Sequence, residues 1–62
     1  MFKYEVWMDG NCLTESDFDY ETEDEAMEEG IEMAEGKIDD WKNDNAWNGE
    51  TLDDFDIRVK EN

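Results

Sequence analysis

Carboxylates dominate the side chains of this sequence that could take part in chemistry. Its 62 residues include 21 Asp and Glu against 5 Lys and Arg, and no His. Four of the acids, Glu28, Glu32, Glu35 and Asp39, follow one another at spacings of four, three and four. In a helix this spacing places the side chains on one face, about 6 Å apart along the axis for each step of four residues. The sequence therefore predicts a continuous stripe of like charge.

Carboxylates can act as general acids and bases or as metal ligands, but the pattern favours neither role. Two catalytic carboxylates need surroundings that drive their pKa values apart, and nothing near these acids in the sequence would do so. Without His, the chain has no ready proton shuttle near neutral pH and no imidazole metal ligand. The acidic and amide residues between positions 40 and 50 do not have the spacing of a calcium loop, because no glycine follows alternate Asp/Asn positions as that loop requires. We expect no enzymatic activity, no cofactor and no dedicated metal site.

The net charge of −16 is larger than solubility requires, because a magnitude of about 2–8 is sufficient for a small domain. Such a charge repels nucleic acid and anionic lipid, so neither is expected as a direct ligand. A single cysteine, Cys12, excludes an internal disulfide and is typical of a reducing compartment. No apolar run is long enough for a membrane span or a signal peptide. We expect a soluble, cytoplasmic protein.

Residues 2–8 are the segment around which a sheet would form. Their even positions are apolar and their odd positions, which include Trp7, point to the other side, as in a half-buried strand. The Asp-Gly-Asn sequence at positions 9–11 predicts a tight turn. A second strand is then expected from Cys12 to Tyr20.

The register of this hairpin depends on the length of its loop. A two-residue loop would pair Val6 with Leu13 and turn carboxylates of the second strand toward the apolar face. A three-residue loop pairs Val6 with Thr14 and Phe2 with Phe18, and buries no carboxylate. Because burying a charge is costly, we expect the three-residue loop.

A helix is predicted to begin at Thr22, because residues 22–25 have the Thr-to-Glu spacing of a capping box. Apolar residues follow at helical spacing: Met27, Ile31, Ala34, Ile38 and Trp41. Ala26, Gly30 and Ala34 form a second row of small residues that would let the helix lie close to a sheet. Trp41 is expected in the core.

The chain is predicted to be one α+β domain, residues 1–62, in the order ββαβ. Residues 43–51 are polar and indicate a loop, and a last strand is expected near residues 54–60 with Phe55, Ile57 and Val59 inward. The predicted fold is a three-stranded antiparallel sheet of order 2-1-3. Strand one is central, and the helix packs on one face.

The outer face of this sheet is a second candidate surface. The predicted register puts Trp7 opposite Leu13 and Lys3 opposite Asp17. Further carboxylates lie on or near this face: Glu15, Asp54 and Asp56. An exposed aromatic and aliphatic pair with a charged rim has the composition of a binding hot spot. It is equally compatible with a pair that simply covers the open sheet. Cys12 is expected to be a small core residue.

Both candidate surfaces fit a partner whose own surface is built to bind phosphates. The chain resembles the small acidic inhibitors of phages and mobile elements, which mimic DNA to block CRISPR effectors, restriction enzymes or uracil-DNA glycosylase. The resemblance lies in size, charge, aromatic content and α+β pattern. Residues 15–17, Glu-Ser-Asp, are similar to the acidic strand segment of the phage uracil-DNA glycosylase inhibitors. The resemblance implies a DNA-mimic inhibitor, with a CRISPR effector as the first target.

Two other functions remain open at this point. One is an acidic antitoxin or adaptor that binds a basic partner without mimicking DNA. The other is a domain acidified for high salt or for weak cation binding. The sequence is compatible with a monomer or a homodimer.

Overall fold

The computed structural model describes residues 1–62 and confirms the predicted architecture. Its elements in chain order are the strands β1 (Phe2–Met8) and β2 (Asn11–Glu15), the helix α1 (Glu23–Asn43), a 3₁₀ turn (Leu52–Asp54) and the strand β3 (Asp56–Glu61). The sheet has the order β2-β1-β3, and β1 is antiparallel to both neighbours. The helix packs against β1 and β3. The most apolar strand is therefore central.

The hairpin between β1 and β2 has a two-residue turn, so the predicted three-residue loop is wrong. Asp9 and Gly10 have φ values of 52° and 80°, and two central residues with positive φ match the twist of the flanking strands. Trp7 then pairs with Cys12. One residue later the register shifts at a bulge, where Leu13 is the extra residue.

This bulge restores the predicted pairing on the core side. Val6 lies opposite Thr14, as expected, and Glu5 lies opposite Glu15. The chain thus combines the favoured Asp-Gly turn with a register that keeps Glu15 away from the apolar face. The Trp7–Leu13 pair is not formed. Cys12, expected in the core, is exposed because it lies opposite Trp7.

The edge of the sheet beyond β2 is held to β1 at two points. The backbone N–H of Ser16 donates to the carbonyl of Tyr4 at 3.0 Å, and the Ser16 hydroxyl accepts from the N–H of Tyr4 at 3.2 Å. Further along, Phe2 and Tyr20 exchange two backbone hydrogen bonds of 2.7 Å each. On β1, one residue lies between the two hydrogen-bonded positions, Phe2 and Tyr4. On the facing segment, three residues, 17–19, lie between Ser16 and Tyr20. Residues 17–19, the edge bulge, therefore project from the sheet.

Two further predictions are wrong because of the edge bulge. Phe18, predicted to be inside opposite Phe2, is 72% exposed, since Tyr20 takes the position opposite Phe2. Lys3, predicted opposite Asp17, lies instead 3.9 Å from the carboxylate of Asp19. The second strand consequently ends at Glu15 and does not continue to Tyr20.

The helix begins where the capping pattern indicates. The Thr22 hydroxyl accepts from the N–H of Glu25 at 3.1 Å. Its buried residues are the small ones, Ala26, Gly30 and Ala34, whereas Met27 of the predicted apolar stripe is 36% exposed. The row of small residues is thus the centre of the contact, because it lets the helix backbone approach the sheet.

The core beneath the helix is thin. Its buried residues are Tyr4, Val6, Ala26, Ala34 and Phe55, with partly buried apolar residues around them. As predicted, Trp41 belongs to this layer: its ring stacks on Phe55 with centroids 5.9 Å apart. No helix of the structure is long and apolar enough to cross a membrane.

Candidate partner-binding surface

The four helix acids lie together, as predicted, on the exposed side of α1. Glu28, Glu32, Glu35 and Asp39, the acid stripe, are all exposed. Successive residues of a helix are about 100° apart, so the acid stripe lies on the side of the helix opposite Gly30. The sheet-facing contact of Gly30 therefore keeps the stripe on the outer side of the helix.

No cation of this chain neutralises the acid stripe. None of its four carboxylates takes part in a hydrogen bond or an ion pair. Of the two helix lysines, Lys42 places its Nζ 4.7 Å from the centre of the Trp47 ring. Lys37 is half-buried, three residues after the buried Ala34 and so on the sheet-facing side. The stripe presents its full charge to solvent.

The outer face of the sheet is organised around Glu5, which is 8% exposed. Its carboxylate accepts from Lys60 Nζ at 2.8 Å and from the indole N–H of Trp7 at 3.0 Å. These two hydrogen bonds, that from Lys60 first, hold the pKa of Glu5 below its usual range. The same contact raises the pKa of Lys60. The pair compensates a carboxylate that would otherwise be poorly solvated and directly opposite Glu15.

Trp7 is covered by its own neighbours. The guanidinium carbon of Arg58 lies 4.3 Å from the centre of its ring, a cation–π contact. Arg58 in turn donates to Asp56 at 2.8 Å. With Lys3 and Lys60, Arg58 brings three of the 5 basic residues of the chain to this face. The face pairs its charges internally, unlike the acid stripe.

The remaining predicted site residues do not join the acid stripe. Asp54 accepts from the N–H of Thr51 at 2.9 Å and lines a cleft of about 250 Å³ with Met8 and Glu50. Glu15 and Asp56 belong to the outer sheet face, Leu13 to the β2 bulge and Asp17 to the edge bulge. Because the helix covers the other side of the sheet, the predicted residues divide among separate surfaces.

Sequence reasoning missed the partners of Glu5 and the exposure of Phe18. The Lys60 partner could have been found by drawing β3 beside β1, since this pairing puts Lys60 opposite Lys3, two residues from Glu5 on the same face. Phe18 lies between two aspartates, a composition unusual for a buried strand, and that is the only signal in the sequence. No group of three or more Cys, Asp or Glu side chains is arranged to hold a metal ion.

Comparison with known proteins found no matching family model, no matching curated protein and no matching solved structure.

Proposed function

We propose that this protein is a DNA mimic that occupies the basic nucleic-acid-binding surface of a target protein. The observation that carries the proposal is the acid stripe: four exposed carboxylates with no cation partner, on a helix fixed to the sheet by its opposite side. Each like-charge pair costs a helix about 0.2–0.5 kcal/mol. A face that is only solvated would gain stability from lysines at some of these positions, and here the helix lysines lie elsewhere.

The overall charge density supports the same proposal. The domain is 37 Å long and 20 by 17 Å across. Its 16 net negative charges correspond to about one per 2.3 Å of the long axis. Duplex DNA carries one negative charge per ~1.7 Å. A basic groove that accepts a duplex would therefore meet a comparable linear charge on this protein.

A CRISPR effector is the first target class to test. Such effectors hold nucleic acid in a positively charged channel and recognise its backbone. Restriction enzymes and uracil-DNA glycosylase are the other classes to which the resemblance extends. Binding to any of them would be fast and would weaken as salt is raised, because the attraction is electrostatic.

The test is a competition assay with purified targets: guide-loaded Cas9, a type I restriction enzyme and uracil-DNA glycosylase. Binding of the protein to at least one of them should be displaced by specific duplex DNA and should weaken steeply with KCl. A variant with four stripe substitutions, Glu28→Gln, Glu32→Gln, Glu35→Gln and Asp39→Asn, should bind at least about tenfold more weakly and with a shallower dependence on salt.

A second variant controls for net charge. In this variant, four exposed acidic residues outside the stripe are replaced by the corresponding amides: Asp9→Asn, Asp44→Asn, Asp53→Asn and Glu61→Gln. Both variants have a net charge of −12, so equal losses would show that the arrangement of the acids is irrelevant. Binding that DNA does not displace would favour the antitoxin or adaptor function instead. Stabilisation by calcium with no protein bound would favour the acidified domain.

A further inference from the structure

The edge bulge exposes an aromatic side chain, Phe18, that does not contribute to the core. Phe18 is 72% exposed, the largest exposure among the big apolar residues of the chain. The other two Phe residues are at least half-buried, Phe55 within the core and Phe2 beside it. Phe18 would be partly buried if it lay opposite Phe2, but Tyr20 occupies that position.

The edge bulge is hydrogen-bonded to β1 at both ends. The Ser16–Tyr4 and Phe2–Tyr20 backbone hydrogen bonds fix the residues that flank it. Asp19 lies near Lys3, and the amide of Asn62 donates to its carboxylate. Because the backbone on both sides of Phe18 is already fixed, binding has less backbone to order, which favours the use of Phe18 as an anchor.

The charges around Phe18 restrict the partner that could receive it. Asp17 has no cation partner, and acidic residues continue from Glu21 into the first turn of α1. Two residues further on, partial burial and, after it, the charges of Glu29 and Glu32 raise the pKa of Tyr20. Phe18 therefore lies among carboxylates, with Asp17 and Asp19 on either side of it and the acids of the first helical turn after it.

A pocket that takes an aromatic ring in such a field must be apolar or aromatic inside and basic at its rim. Proteins that bind unstacked bases have this chemistry, because they stack the base on aromatic or Arg side chains within a Lys/Arg groove. We propose that Phe18 is the anchor of the interface and occupies the base-binding pocket of the target, with Asp17 at its basic rim. This inference rests on the proposed DNA mimicry.

The test measures dissociation constants for the same three purified targets at low and high KCl. Uracil-DNA glycosylase is the decisive one, because glycosylases take a flipped base into a pocket. Phe18→Ala should weaken binding at least about 30-fold, the loss typical of a hot-spot residue. The loss should be equal at both salt concentrations, because contact with an apolar pocket is not screened. Phe18→Trp, which keeps a stacking ring, should retain most of the affinity. The matched control is Leu52→Ala, which removes another exposed apolar side chain, 42% exposed.

The outcomes separate this inference from the proposed function. If wild-type binding is displaced by DNA but Phe18→Ala behaves like Leu52→Ala, the anchor is wrong and the mimicry stands. If no target binds the wild-type protein in a DNA-sensitive way, the anchor and the DNA mimicry are both overturned. This outcome is seen with the wild-type protein alone, before any Phe18 variant is measured. Circular dichroism and the urea midpoint of Phe18→Ala should match the wild-type protein. A loss of structure would show that Phe18 serves the fold and would overturn the inference.

Discussion

Glu5 illustrates how a single carboxylate is accommodated in the sheet of a highly acidic protein. The residue lies on the central strand, where only a small part of it reaches solvent. Lys60 reaches across from β3 and the Trp7 indole from two residues along the same strand. Both donate to the charged form, so both favour ionisation.

The stability that Glu5 contributes should depend on pH. Its pKa is lowered in the folded protein. The contribution is therefore present above the pKa of the unfolded chain, about 4.3, and is lost as the pH falls through the lower folded pKa. Glu5→Gln should lower the urea midpoint near pH 7. The difference from the wild-type protein should shrink as the pH falls through the lowered folded pKa of Glu5, because below it both side chains are neutral.

Glu15→Gln is the matched control for this measurement. Glu15 lies directly opposite Glu5 but is exposed and accepts no hydrogen bond. Its neutralisation removes a like-charge neighbour, so the urea midpoint near pH 7 should be unchanged or higher. A penalty for Glu5→Gln that stays constant from neutral to acidic pH would contradict the role of the Lys60 and Trp7 hydrogen bonds.

Individual side-chain positions could be predicted only in part from the sequence. Trp41 and Phe55 follow from periodicity, since residues that recur on one side of a helix or strand are buried together. Phe18 does not, because two extra residues at the sheet edge change which residue faces the core. The predicted pairing of Leu13 with Trp7 was wrong for a similar reason, because Leu13 is the extra residue of the β2 bulge. Strand pairings at bulges are decided by turn geometry and packing jointly, and alternation alone cannot show them.

The two glycines of α1 have opposite roles at the scale of the element. A methyl group at Gly30 would lie 2.6 Å from Ile57 Cγ2 and 3.3 Å from Tyr4 Cβ, whereas Gly36 has no atom within 4 Å of that position. Ile57 is β-branched and pairs with Val6 in the sheet, so its methyl group cannot move freely. The small residue at position 30 is therefore a packing requirement.

Replacement of each glycine by alanine should have effects of opposite sign. Gly36→Ala should stabilise the protein by about 0.5–1 kcal/mol, the gain in helix propensity. Gly30→Ala has the same gain in helix propensity, but overpacking against Ile57 destabilises the fold by about 1–3 kcal/mol. The net effect should therefore be destabilising. Urea unfolding followed by circular dichroism measures both. Stabilisation by Gly30→Ala would mean that the helix can move away from the sheet without loss.

The order of the elements was predictable because each carries its own local signal. The alternation of residues 2–8, the capping pattern at Thr22 and the apolar repeat of α1 agree with one another and with the sheet order 2-1-3. The position of the acid stripe followed from the same helical periodicity. What could not be predicted is the covering of Trp7 by Arg58, because Arg58 lies opposite Glu5 and reaches Trp7 only through the conformation of its side chain.

Repulsion among carboxylates should limit the stability of the whole molecule. An increase of KCl from ~0.01 M to ~1 M shortens the Debye length from about 30 Å to about 3 Å. The melting temperature of the wild-type protein should therefore rise with KCl, because the net charge of −16 is screened.

The variant with all four stripe positions neutralised should be more stable than the wild-type protein at low salt. Its three removed like-charge pairs are together worth about 1 kcal/mol, or about 4–8 °C in melting temperature for a domain of this size. Thermal unfolding followed by circular dichroism measures the difference, which should diminish in ~1 M KCl. A variant less stable than the wild-type protein would show that the stripe carboxylates support the fold.

The three tryptophans give the molecule an internal set of fluorescent reporters. Trp7 lies under Arg58 on the outer sheet face, Trp41 stacks on Phe55 beneath the helix, and Trp47 lies in the loop with its indole N–H bonded to the carbonyl of Glu50. Single-tryptophan variants would therefore emit from three distinct layers. Quenching by acrylamide in a complex would then reveal which side of the protein its target shields.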